Sequence, residues 1–171
     1  STVEDNTFGY AEPTERYCAL NPRNTVAESI VTLAHELRHA HQFQSRLIYD
    51  IVPQTYDTKT NIITERAMEA DAEAYGCLVA WELKQAENPA PWNEFMKDYP
   101  EIVAPFEKVL NEGGTMQEAR TAAFLGWYDN DARRDSYDCT HLDELKSMPP
   151  QQLKKKLNKA SSSEIIAETC K

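Results

Sequence analysis

Apolar residues recur at three- and four-residue spacing along two long stretches of the chain. Val26, Ile30, Leu33, Ala34, Leu37 and Ala40 form the first, which predicts a helix running to about Arg46. Asn24 or Thr25 is placed to cap it, with Glu28 positioned to close a capping box or to face the helix dipole. Ile62, Met68, Ala72, Leu78, Val79 and Leu83 form the second, predicting a helix from about Asn61 to Gln85 that ends before Asn88-Pro89. Between them, Leu47 to Thr60 reads as a connecting loop long enough to wall a cleft.

The flanking segments are shorter. Residues 1–15 are polar and turn-prone and read as an irregular arm. Arg16–Leu20 is a β-capable run closed by Asn21-Pro22, so one strand is expected directly before the first helix. Such a strand can offer an edge to an extended peptide or simply pack on the helix. Past the second helix, a short helix is expected near Trp92–Lys97. Another should run from Pro100 to Asn111, kinked or divided at Pro105 and stopped by Gly113-Gly114. Thr115 caps a helix reaching Tyr128 or Asp131. Residues 135–140 read as irregular and His141–Lys146 as a helical turn. Pro149-Pro150 opens a basic helix with Lys154, Lys155 and Lys156, and a last helix covers 164–170. The fold class expected is mainly α, with a short N-terminal strand or small sheet.

Composition narrows the picture further. A chain of 171 residues with 41% hydrophobic and 27% charged residues is expected to form one domain, 1–171. The net charge of −10 argues against a nucleic-acid partner, because phosphate binding relies on excess Lys and Arg. No apolar run reaches membrane-span length and no signal-peptide core is present, so no membrane partner is expected. Ser1 in place of Met is consistent with a removed upstream segment. Cys18, Cys77, Cys139 and Cys170 form no C-x-x-C pair, which argues against a Cys-based zinc site and makes buried free thiols the simpler reading. A reducing, cytoplasmic location is the expectation.

The chemistry concentrates in the first helix. His35-Glu36-Leu37-Arg38-His39 is H-E-x-x-H, and residues four apart share one helical face. His35 and His39 therefore present two imidazoles to one point, as a zinc ion requires, and Glu36 stands beside them as a candidate general base. Three of the chain's four histidines fall in this helix. His41 lies about 200° round from His39 and cannot readily share the ion. Arg38 also faces away and is expected to pair with a carboxylate. Trp81, Trp92 and Trp127 are expected as core anchors.

A catalytic zinc needs a third protein ligand. The extended three-histidine signature is absent, since position 42 is Gln and position 45 is Ser. His141 and the second helix compete for the place. Glu65, Glu69 and Glu73 share a face there, while Asp71 points away. Such a row of like charges repels itself in solvent and is stabilised facing a cation.

At this point the chain resembles the gluzincin class of zinc metallopeptidases, in which an H-E-x-x-H helix is followed by a helix with a Glu ligand in E-x-x-A-D. The corresponding stretch here is Glu69-Ala70-Asp71-Ala72-Glu73, with Gly76 three residues later and Glu in place of the final Asp. The resemblance covers about residues 16–85 and is strongest to the small, minimal members of the class. It implies a zincin-like core over 16–85, with residues 86–171 a helical remainder outside it. It implies Glu69 as metal ligand, with Glu65 the competing choice, and Glu73 as the acceptor that orients a histidine.

The activity so implied is peptide-bond hydrolysis by a metal-activated water, with one Zn2+ ion and Glu36 as general base. Tyr137 and His141 are the first candidates to stabilise the oxyanion, ahead of Tyr128, Arg133 and Arg134. Two other readings stand beside this one. One is a binding or regulatory module with a structural or lost metal, and the other is a helical interaction protein carrying the motif by accident. A zinc-dependent amidase is a variant of the first. The expected partner is a peptide or protein substrate.

Overall fold

Two long helices carry the motif residues, and the computed structural model sets them among shorter ones. It describes residues 7–12, 15–52, 55–147 and 158–171. The order is β1 (Gly9–Glu12), β2 (Tyr17–Leu20), α1 (Val26–Gln42), α2 (Arg46–Asp50), α3 (Thr58–Gln85), α4 (Ala90–Asp98), α5 (Pro100–Asn111), α6 (Met116–Gly126), a 3-10 turn at Trp127–Asp129, α7 (Asp131–Ser147) and α8 (Ser162–Thr169). The protein is thus mainly helical with one small antiparallel sheet. The residues divide into two compact units, Ser1–Ala40 with Ala70–Asp129, and His41–Glu69 with Asn130–Lys171.

In the first unit, β1 and β2 pair from Gly9↔Leu20 to Glu12↔Tyr17. The expectation of an irregular arm over residues 1–15 is corrected here, because β1 lies within it. A polar four-residue strand has no pattern of its own and forms because β2 supplies its hydrogen bonds. Gly9 is needed for this, since a Cβ there would sit 2.7 Å from Thr32 Cγ2 and 2.8 Å from the Ala19 carbonyl. Only glycine lets the hairpin lie this close to α1.

The core of this unit is built from the second half of α3, from α4, α5 and α6, and from the 3-10 turn. Trp92, Phe95, Ile102, Val103, Phe106, Ala119, Ala123 and Trp127 are buried. Pro105 sits inside α5 without dividing it. Lacking an N–H, it cannot donate the helical bond to the Glu101 carbonyl. Gly126 of α6 backs directly onto that carbonyl, where a Cβ would come within 2.2 Å of the oxygen. Gly126 thus meets α5 at the carbonyl that Pro105 leaves without its helical donor.

In the second unit, α2 and α8 pack through Ile48 and Ile165, both buried, and Ser45 Oγ donates to Glu168 at 2.9 Å. α2 corrects the expected uninterrupted loop at 47–60. α3 begins at Thr58, three positions earlier than periodicity indicates, because Asp57 caps it by accepting from the Thr60 N–H at 2.8 Å. Residues 135–140, expected to be irregular, lie within α7. That helix is started by Asn130, whose Oδ1 accepts from Arg133 N at 3.0 Å, and is tied to α3 by the Arg66–Asp138 ion pair. The expected basic helix from Pro149 to Lys156 lies outside the described residues. No helix among the described residues is long and apolar enough to cross a membrane.

The orientation of α1 is the main departure. Thr32, Ala34, Glu36, Arg38, His39 and Gln42 are buried, whereas Val26, Leu33 and Leu37 are 78%, 39% and 54% exposed. The helix forms where the pattern predicts, yet it turns its polar face inward. Pairing with the carboxylates of α3 outweighs burial of these apolar side chains.

Candidate metal centre

α1 starts at a reciprocal capping box. Thr25 N donates to Glu28 Oε2 at 2.6 Å, and Glu28 N donates to Thr25 Oγ1 at 3.2 Å. These bonds hold the Glu28 carboxyl below its ordinary range. From this start the helix runs unbroken through His35 and His39, one turn apart. Their rings meet edge to face with centroids 4.5 Å apart, and their Nε2 atoms are 2.9 Å apart. Two imidazole nitrogens thus converge on one point.

α3 brings the carboxylates. His35 Nδ1 lies 3.5 Å from Glu73 Oε1, within ion-pair reach. A proton held on Nδ1 by Glu73 leaves the Nε2 lone pair of His35 directed at the shared point. Ligand atoms of His35, His39 and Glu69 lie within 4.8 Å of one another. Glu65, one turn earlier, is exposed. Residues 70–74 are buried all round, Asp71 and Glu73 included at 2% and 6% exposure. Buried carboxylates require counter-charges or hydrogen bonds, and both have basic or imidazole partners from α1.

Two imidazoles and one carboxylate are the donor set of an open tetrahedral zinc site, leaving a fourth position for water. Nitrogen ligands at about 2.1 Å from a tetrahedral ion stand about 3.4 Å apart. The observed spacing is within side-chain adjustment of that value, so the residues present fit a zinc ion.

Glu36 is buried at 7% exposure. Cys18 of β2 lies close enough to feel it, since burial and then the Glu36 charge push this thiol up. The cysteines are free, and only Cys77 is fully buried, which corrects the expectation of buried thiols generally. Burial, with Glu73 and Glu107 adding to it, keeps Cys77 protonated.

Arg38 pairs with a carboxylate as expected, its Nε 2.5 Å from Asp71 Oδ2. His41 is exposed, and Trp92 and Trp127 are buried, as expected, while Trp81 is half-buried against Phe106. Tyr137 and His141 both lie on α7; Tyr137 is half-buried, and the side chain of His141 is outside those described.

Two features were not read from sequence. Gln42 Nε2 donates to the Met68 carbonyl at 3.1 Å, tying the end of α1 to α3 one residue before Glu69. Tyr75 stacks on Arg38, with Cζ 5.3 Å from the ring centroid. The only sequence signal for either was the position of Asp71, opposite the glutamate row.

Neither a curated protein nor a solved structure matches the chain. One family model does, described as "Putative metallopeptidase family (DUF6782)", and it matches residues 3–171. The match takes in residues 86–171 as well, beyond the stretch that carries the gluzincin resemblance. The chain belongs to that family.

Proposed function

We propose that this protein is a zinc-dependent peptidase of gluzincin type, with His35, His39 and Glu69 as ligands of a single ion and Glu36 as general base. What carries the reading is the convergence of those three donor groups within 4.8 Å, beside a buried glutamate. A zinc ion held there would supply Lewis acidity toward a scissile carbonyl and make a water acidic near neutral pH.

The rest falls to the chain's own residues. Glu73 holds the proton on His35 Nδ1 and keeps Nε2 as the donor. Glu36 accepts a proton from the attacking water and passes it to the leaving amine. Tyr137 and His141 are the proposed donors to the developing oxyanion. The substrate is a peptide or protein presented in extended form, and the proposed location is cytoplasmic.

The test is hydrolysis of a denatured, fluorescently labelled protein by the zinc-loaded wild type and by Glu36→Gln. The variant should keep its zinc and lose on the order of 100- to 10,000-fold in rate. Activity that survives both this substitution and a strong chelator would overturn the reading.

A further inference from the structure

α1 and α3 approach nearly backbone to backbone. A Cβ on Gly76 would sit 3.8 Å from the Val31 carbonyl oxygen, and Ala72, one turn earlier, is fully buried. Small side chains at this crossing allow the approach but do not fix how one helix is rotated against the other. Of the large apolar residues on α1, Leu33 and Leu37 face solvent and Ile30 and Val31 are only half-buried. Rotation is therefore left to the polar contacts.

Those contacts lie on two flanks. His35, His39, Glu69 and Glu73 occupy one. On α3, Asp71 lies about 200° from Glu69, and on α1, Arg38 lies about 100° from His39. The Arg38–Asp71 pair therefore closes the opposite flank, with side chains 6% and 3% exposed. The guanidinium also has an aromatic neighbour. Arg38 Cζ lies 5.3 Å from the Tyr75 ring centroid, and Arg120 Cζ of α6 lies 5.9 Å from the same ring. A buried ion pair is a poor source of net stability compared with apolar residues of the same volume, but it is demanding in geometry.

We infer that the Arg38–Asp71 pair, stacked on Tyr75, is a positioning device for the metal centre: it sets the rotation and register of α1 against α3 so that His35 and His39 meet Glu69. Neither residue is among the three grouped donors. The inference rests on the metal-centre reading above.

The experiment compares wild type, Arg38→Met/Asp71→Leu and Arg38→Lys. Zinc affinity is measured by competition with a chromophoric chelator, coordination geometry by the visible spectrum of the cobalt-loaded protein, and stability by thermal unfolding of the metal-free form. The apolar pair should unfold near the wild-type temperature, yet bind zinc at least about tenfold more weakly and show a weaker cobalt band. Arg38→Lys keeps the charge without the planar fork and should lose affinity by a smaller factor, with unfolding unchanged. It carries the test if the double variant does not fold. Wild-type affinity and spectrum in the folded variants would overturn the inference alone. A wild type that binds neither metal would overturn the metal-centre reading and this inference together.

Discussion

His35 and Glu73 face each other from α1 and α3, with Nδ1 3.5 Å from Oε1. In the proposed site this contact favours the tautomer with its proton on Nδ1, which leaves Nε2, the nitrogen facing His39, to bind the ion. Glu73 also answers for the Glu that stands where related motifs carry Asp. The longer arm still reaches the ring from the buried middle of α3.

Replacing Glu73 with Ala should weaken zinc binding by about 10- to 100-fold, the usual consequence of removing a ligand's orienting partner. Glu73→Gln retains an acceptor and should lose less. Competition titration against a chelator measures both, and equal affinities in all three proteins would show that Glu73 does not orient His35.

Acid sensitivity should come in part from the helix starts. Glu28, Glu118 and Glu164 each close a capping box, and bonds from Thr25, Thr115 and Ser161 hold their carboxyls below the ordinary 4.5. A group whose folded pKa is depressed stabilises the fold above its unfolded pKa, and that contribution is lost as pH falls through the folded value. The stabilisation is thus complete above about pH 4.5 and disappears below it. Combining Thr115→Ala with Ser161→Ala should move the acid-unfolding midpoint, followed by circular dichroism, to higher pH.

Gly126→Ala should be severe for a surface-sized change. The new methyl would meet the Glu101 carbonyl oxygen at 2.2 Å and Pro105 Cγ at 3.0 Å, and a backbone atom cannot move aside cheaply. A loss of about 3 kcal/mol is expected. Denaturant unfolding should show a lower midpoint with an unchanged slope. A change near zero would mean that α6 can shift relative to α5.

These positions also show how far the sequence could be read. The two long helices, the cap of α1 and the H-E-x-x-H spacing are local features, so periodicity and turn chemistry indicate α1, α3, α5, α6 and α8 within a few residues, although Asp57 as the cap of α3 is not among them. Helical geometry gave the row Glu65, Glu69 and Glu73, and only the resemblance preferred Glu69, whose ligand atom lies within 4.8 Å of those of the histidines while Glu65 is exposed. The failures were non-local. β1 exists through its pairing with β2, and Gly9 is required because of Thr32 and Ala19, which a linear reading does not bring together. The inward polar face of α1 defeated the amphipathic rule because that rule assumes apolar residues decide the buried side. Here His35, Arg38 and His39 find charged or imidazole partners inside, while Val26 and Leu37 remain outside.

Metal content tests the central claim most directly. Purified wild type, Glu69→Ala and Glu65→Ala, each equilibrated with zinc and freed of excess, would be analysed for bound metal. The account predicts near-stoichiometric zinc in the wild type and in Glu65→Ala, and its loss in Glu69→Ala. Zinc absent from the wild type, or lost only from Glu65→Ala, would contradict it.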